Sequence, residues 1–286
     1  MTAPPTRRGC GSRRSRAPRA SSPGSSSRCR GCPRSGSPTW PQRADAPRGD
    51  TLLSHPSAEP AVRSAVHCAQ TVRVENWQTQ TWHGGACEFH ARDLPHRRSV
   101  WLVVPDRPAL VLGSSQDPGD VDSEAAAGAG MDVCRRRSGG GAVWLHPEHS
   151  LWVDVTIGRG DPLWDDDVSR SGLWLGNVLA GICGGNRAEV HHGPMVTTPF
   201  SRSLCFAGLA PGEVTVDGAK LFGVSQRRGR DGARFQCVAY RSWLPELFAG
   251  VFVDAAVKDA AGSLPVHEID LDGPALLDRL SAALAS

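Results

Sequence analysis

From Ser99 onward the chain alternates short apolar runs with turn-forming residues. Residues 99–104 (SVWLVV) predict a strand, Pro105-Asp106-Arg107-Pro108 a turn, and 109–112 (ALVL) the strand's hairpin partner. Gly113-Ser114-Ser115-Gln116 ends that second strand. Residues 122–129 read as a short alanine-rich helix, with Asp122 as the cap for its first free amides. Residues 131–135 run into a glycine turn at 139–141, and 142–145 resume as a strand. Residues 150–157 (SLWVDVTI) alternate as a strand does, and 161–167 form a loop. Val168, Leu175, Val178, Leu179 and Ile182 recur at helical spacing. They predict an amphipathic helix over 168–182, stopped by Gly184-Gly185-Asn186.

A second set of strands is predicted at 203–207, 213–216, 221–227 and 234–240, with Asp217-Gly218 as a hairpin turn. Helices are expected at 244–248, 255–259 and 275–284, the last opened by Pro274. Residues 51–95 are poorly patterned and suggest only one helix, near 58–69. Strands joined mostly by hairpins, with a few covering helices, point to an α/β (α+β) fold. Its sheet is mixed and largely antiparallel rather than doubly wound. No internal repeat is present.

Composition divides the chain. The first 50 residues hold 11 arginines, two aspartates and, as large hydrophobes, only Met1 and Trp40. Such a stretch cannot bury enough apolar surface to offset its ordering entropy, so 1–50 is expected to be a disordered tail and 51–286 one domain. The whole chain carries +3 and the tail +9, which leaves the remainder mildly acidic at −6. That balance gives no support to a nucleic-acid footprint on the folded part. No apolar run approaches the roughly 20 residues a membrane span needs, and no export signal follows the arginines. Nine cysteines, an odd number, then predict reduced thiols in the cytoplasm. Cys29-x-x-Cys32 has a metal-like gap but no second ligand pair.

The most informative stretch is Arg135-Arg136-Arg137-Ser138-Gly139-Gly140-Gly141-Ala142. Three glycines between two strands permit crowded backbone angles, and their amides can converge on an anion beside arginines that are always protonated. A flexible loop among surface arginines is the plainer alternative. No G-K-[ST] follows, and G-x-G-x-x-G is absent, so this is neither a Walker loop nor a dinucleotide fingerprint. Lysine occurs only at 220 and 258 among 32 basic residues. Lys220, at the mouth of the second hairpin, can bring a compact ammonium to a phosphate or a developing oxyanion; a chance surface lysine is the alternative. His191-His192 reads as a surface pair, and Trp144, Trp152, Trp164 and Trp174 as packing. Asp154 reads as part of a solvated or salt-bridged strand face.

Taken together, that stretch, Gly113-Ser114-Ser115-Gln116 and Gly218-Ala219-Lys220-Leu221-Phe222-Gly223 followed by Ser225-Gln226-Arg227 resemble the R-R-x-S-G-G-G-A, G-x-x-Q and G-x-K-x-x-G elements of the lipoate–protein ligase A superfamily. That superfamily is related to biotin protein ligases and octanoyl transferases, and the likeness spans about 95–245. It implies a biotin/lipoate ligase-like catalytic domain that uses ATP and Mg²⁺ to activate lipoate or octanoate as an acyl-adenylate. The acyl group then passes to a lysine of a lipoyl-domain protein. By the same likeness Gln116, Arg135, Arg136, Ser138, Gly139, Gly140, Gly141, Ala142 and Gly223 bind substrate, and Lys220 meets the phosphate and carbonyl. The chain departs from the pattern at Glu148-His149-Ser150-Leu151, where ligases often carry G-N-L. It departs again at Gln236-Cys237, where a His-Gly pair is common.

Cys205-Phe206 is similar to a Cys-Phe pair in cysteine-dependent octanoyl transferases. Those take the acyl group from acyl carrier protein as a thioester and need no ATP. A thiolate suits that route, whereas a cysteine in an apolar strand also serves as a small buried hydrophobe. A non-catalytic acyl- or lipoyl-domain-binding protein is the third reading.

Overall fold

The computed structural model describes residues 71–74 and 77–286. The predicted tail over 1–50, with its Cys29-x-x-Cys32 pair, and the predicted helix at 58–69 lie outside the described residues. In chain order the elements are β1 (Thr71–Val74), β2 (Trp77–Gly84), α1 (Ala86–Ala91), β3 (Ser99–Pro105), β4 (Ala109–Leu112) and α2 (Ser123–Gly128). Next come β5 (Asp132–Arg135), β6 (Val143–Leu145), β7 (Ser150–Gly158), α3 (Leu173–Leu179), β8 (Ala188–Val190) and β9 (Val214–Val216). β10 (Ala219–Arg228), β11 (Gly232–Tyr240), α4 (Ala255–Gly262) and α5 (Gly273–Ala285) complete the chain. No helix among the described residues is long and apolar enough to cross a membrane.

The described strands form an eight-stranded sheet in the order β1-β2-β3-β7-β11-β10-β9-β8 and a three-stranded sheet in the order β5-β4-β6. In the larger sheet only β2 and β3 run parallel; every other neighbouring pair is antiparallel. The fold is therefore mixed α/β with a largely antiparallel sheet, as the strand pattern predicts. Two apolar cores flank the large sheet. One holds Leu175, Leu179, Leu276 and Leu280 of α3 and α5 against one face. The other holds Leu110, Val111, Trp144 and Leu145 of the small sheet, together with Trp152, Val238 and Tyr240. Covered on both sides, β7 is buried from Ser150 to Ile157, although its sequence alternates.

Several expectations are corrected. β4 is not the hairpin partner of β3. Both edges of β3 are occupied by β2 and β7, and the prolines at 105 and 108 offer no amide to extend a ladder across the turn, so the chain crosses to the second sheet. The helix expected over 168–182 begins only at Leu173. Asp165 and Asp167 accept the amides of Asp167 and Ser169 and hold 165–171 in turns, leaving Val168 exposed. A π-type turn over Ala180–Gly184 then ends the helix, and Gly185 takes φ +59°. Residues 203–207 form no strand. A single parallel bridge joins Leu204 to Ala142, and Cys205–Ala207 is a 3₁₀ turn. Residues 244–248 likewise contribute only a 3₁₀ turn, over Pro245–Leu247. The poorly patterned region before Ser99 supplies β2 and α1.

The Asp217-Gly218 hairpin forms as expected. Val216 pairs with Ala219, and the two turn residues take φ +49° and +80°. The expectation of reduced thiols is overturned at one pair. Cys87 of α1 and Cys134 of β5 are joined in a disulfide, with Cα atoms 5.6 Å apart. Their spacing of 47 residues gave no hint of a pair, because proximity arises only when α1 docks beside the small sheet.

Candidate active site

The glycine turn is built by backbone crowding. Gly140 has φ +97°, a conformation that side chains resist. A Cβ on Gly113 would lie 1.8 Å from the Gly140 carbonyl oxygen, and one on Gly141 would lie 2.6–2.8 Å from backbone atoms of Leu204 and Cys205. The three segments can approach this closely only because those positions lack side chains. Arg136, buried, laces the turn by donating to the carbonyls of Val111, Gly139 and Gly141 at 2.8–3.1 Å. Arg135 donates to the Gln116 carbonyl at 2.6 Å. The Gln116 side chain accepts from the Gly113 amide and donates to the Ser203 carbonyl. Ala142 exchanges backbone bonds with 203–205, accepting from the Cys205 amide at 3.0 Å. The amides of Gly139, Gly140 and Gly141 find no acceptor among the described residues, so three consecutive donors remain for a ligand.

Two spaces meet beside this turn. A surface cleft of about 680 Å³ is bordered by Gly139, Gly140, Gly141, Cys205, Ser225 and Glu213, with Val168, Pro194 and Met195 on an apolar rim. Val168 and Met195 are both more than half exposed. Beneath lies a narrow pocket between the two sheets, walled by Val111, Val143, Leu145, Trp152, Phe206 and Val238, with His90, Arg136, Gly223 and Gln236. Cys205 and Ser225 line both spaces and mark their junction. The pocket offers about 20 Å³ of open volume, little more than one water requires, so a longer ligand enters only as wall side chains move.

A chain of polar side chains crosses the pocket. Ser225 Oγ lies 2.9 Å from Ser138 Oγ, Ser138 donates to Gln236 Oε1 at 2.7 Å, and Gln236 Nε2 lies 2.9 Å from His90 Nδ1. His90 is buried and stacks on Trp152 with ring centroids 4.5 Å apart. Burial first, then the charges of Arg234 and Arg136, hold its pKa well below the ordinary value, so the imidazole is neutral. Asp154 is not on a solvated face: fully buried, it accepts from Arg234 at 2.5 Å and from Trp152 at 2.6 Å. Burial raises its pKa, and Arg234 pulls it back. Arg234 also donates to the carbonyls of Phe89 and Arg92, which ties α1 to the large sheet.

Lys220 borders neither space. Its Nζ lies 2.7 Å from Glu213 Oε2 and donates to the carbonyls of Cys205 and Gly208 at 3.0 Å. Glu213 also accepts the amides of Ala210 and Val224, so this buried pair clamps the 205–213 segment to β10. A bulge between Lys220 and Phe222 accompanies it. Arg136, by contrast, has no carboxylate within 4.0 Å among the described residues, and its Nε has no acceptor. Burial lowers its pKa, yet a guanidinium stays charged.

The structure thus brings Gly139, Gly140, Gly141 and Cys205 to one cleft, and Arg136, Cys205 and Gly223 to the pocket beneath it. Ser138 joins the polar chain; Arg135, Gln116 and Ala142 brace the turn; Lys220 clamps the neighbouring segment. Trp144 is packed on Tyr240 and Phe248 away from both spaces, and Trp152 takes the pocket wall. His191 bonds the Pro194 carbonyl in a loop beside His192. Sequence reasoning missed His90 and Glu213. A six-residue helix shows too little periodicity to betray the first, and an isolated acid in a turn betrays nothing of its partner.

A family model described as the lipoyl protein ligase A/B catalytic domain matches residues 75–259. No curated protein sequence matches the chain. Among solved structures, the chain resembles the archaeal bi-partite lipoate protein ligase of Thermoplasma acidophilum, described with its E2 lipoyl domain. The identity is 14% and the TM-score 0.53, over 74% of this chain and 83% of that one. It also resembles a lipoate-protein ligase A bound with ATP at 12% identity and TM-score 0.52, over 74% and 85% of the two chains. A biotin protein ligase from Aquifex aeolicus is a more distant likeness, at 12% identity and TM-score 0.31 over 73% and 70%.

Proposed function

The chain belongs to the lipoyl protein ligase A/B catalytic domain family, and on that premise we propose that it transfers lipoate or a related acyl group to a lysine of a lipoyl-domain protein after activation with ATP. The observation that carries this reading is the junction at Cys205 and Ser225. There a narrow apolar space suited to a hydrocarbon chain opens into a cleft bordered by three unpartnered glycine amides. An acyl chain seated below would present its carboxyl end at the amides, which are fit to hold a phosphate or a developing oxyanion. A relative of the same fold carries bound ATP, and another is described with a lipoyl domain; both support ATP and a lipoyl-domain acceptor here. ATP supplies the activation of the carboxylate as an acyl-adenylate; the glycine turn orients it, and the buried pocket walls exclude water from the chain. Among the described residues no group of three or more His, Cys, Asp or Glu converges as a metal site.

Lys220 acts in this reading through position. Neutralised by Glu213, it fixes the carbonyls of Cys205 and Gly208, and an incoming anion would have to draw its ammonium from that pair. A specific observation favours a second route. Cys205 alone among the described cysteines lines both spaces, close to the buried Arg136 cation, as a thioester-forming nucleophile supplied by acyl carrier protein would require.

Mass spectrometry of a lipoyl domain incubated with the protein separates the readings. The ligase reading expects an acyl mass shift with lipoate and ATP, retained in Cys205→Ala and absent without ATP. Transfer from octanoyl carrier protein alone, lost in Cys205→Ala and accompanied by an octanoyl adduct on the wild-type chain, would establish the thioester route instead. No shift under either condition would leave a binding protein.

A further inference from the structure

The acyl pocket runs along one register row of the large sheet. Gly223 of β10 faces Val238 of β11, which faces Trp152 of β7, so the row spans two strand spacings, roughly 10 Å. Cys205 marks its junction with the cleft, and a Cβ on Gly223 would lie 3.1 Å from the Phe206 ring. At the Trp152 end, His90 is stacked. The neighbouring row, Ser225–Gln236–Asp154, carries the hydrogen bonds that fix the state of that histidine.

The direction of each bond follows from its partners. Ser138 Oγ donates to the Gln236 side chain, which fixes which end of that amide is the oxygen, Oε1. Nε2 of Gln236 is then the atom 2.9 Å from His90 Nδ1, and an amide nitrogen only donates. His90 must accept at Nδ1, and a neutral imidazole then carries its proton on Nε2. That Nε2–H has no acceptor among the described residues, and the ring lines the pocket. His90 is therefore a fixed donor, with no free lone pair to serve as a base.

Resting on the acyl-pocket reading, we propose that His90 is a specificity residue at the far end of the pocket, where its Nε2–H selects chains ending in a hydrogen-bond acceptor, such as a cyclic disulfide, over plain hydrocarbon chains of similar length. Sulfur is a weak acceptor and also makes favourable contacts with aromatic rings, which Trp152 provides at the same end.

Calorimetric titration of the full chain with lipoate and with octanoate tests this. Wild-type protein is expected to bind lipoate about three- to tenfold more tightly, the factor one modest hydrogen bond supports. In His90→Phe the ratio should fall to about one, because lipoate loses more affinity than octanoate does. Nitrogen-15 NMR of His90 gives a second readout that needs no variant, and a protonated Nε2 with a bare Nδ1 is expected. An Nδ1-protonated tautomer, equal wild-type affinities, or a ratio unchanged by the substitution overturns the assignment while leaving the pocket standing. Binding of neither acid to wild-type protein removes the acyl-pocket reading, and this inference with it.

Discussion

At the residue scale, one side chain and one glycine carry the site's physics. His90 is buried neutral, with its pKa well below the ordinary 6.5 through burial and the nearby Arg234 and Arg136 charges. Its unfolded form takes up a proton as pH falls below about 6.5, while the folded form does not. Its contribution to stability is thus present above that value and lost below it. Urea unfolding between pH 7.5 and 5 should show His90→Phe losing less stability than wild type, by up to about 1.4 kcal/mol per pH unit; parallel slopes would contradict the neutral assignment. Gly141 is needed for another reason. Its alanine variant would press a methyl group into the Leu204–Cys205 backbone and should cost about 1–3 kcal/mol, read by thermal melting, with transfer activity reduced by displacement of Cys205. Glycines 139–141 were recognisable in sequence as a crowded bend. Their neighbour Leu204 was not, because it arrives from more than sixty residues away.

At the element scale, the clamp between β10 and the 205–213 segment is the feature to test. Glu213→Gln leaves the Lys220 charge buried without its partner and should cost about 3–5 kcal/mol in urea unfolding. A Glu213→Leu, Lys220→Met double variant should recover much of that loss, since removing both charges removes the desolvation penalty; no recovery would mean the pair acts chiefly through its hydrogen bonds. The caps behave more simply. Asp272 accepts the Ala275 amide at the start of α5, so Asp272→Ala should cost about 1 kcal/mol and leave acyl transfer unchanged. Elements with local punctuation were legible in sequence: α2 with Asp122, the Asp217-Gly218 hairpin, and α5 behind Pro274. The elements misread were those whose boundaries depend on distant contacts. The segment at 203–207 has strand-like composition but a bridge to only one residue, and 168–172 has helical spacing but is held in turns by Gln226 of β10, which donates to the Val168 carbonyl and accepts from the Ser171 hydroxyl.

At the scale of the whole molecule, a large sheet with both faces covered sandwiches a ligand-sized row against a small second sheet, and one cross-link joins α1 to that small sheet. The Cys87–Cys134 disulfide closes a loop of 47 residues, and unfolding with and without a thiol reductant should differ by about 2–4 kcal/mol. Equal stability in both would mean the two thiols are already reduced in the isolated protein. The sequence by itself determined the kind of sheet, the glycine bend with its arginines, the second hairpin and the family likeness, because each is written in residues close together along the chain. Only the tertiary structure decided that Lys220 is spent on Glu213, that Cys205 stands where cleft and pocket meet, and that His90 closes the pocket's far end. Those outcomes depend on which distant side chains share low-dielectric space, and burial, pairing and proton placement there follow from packing across strands that no local pattern records.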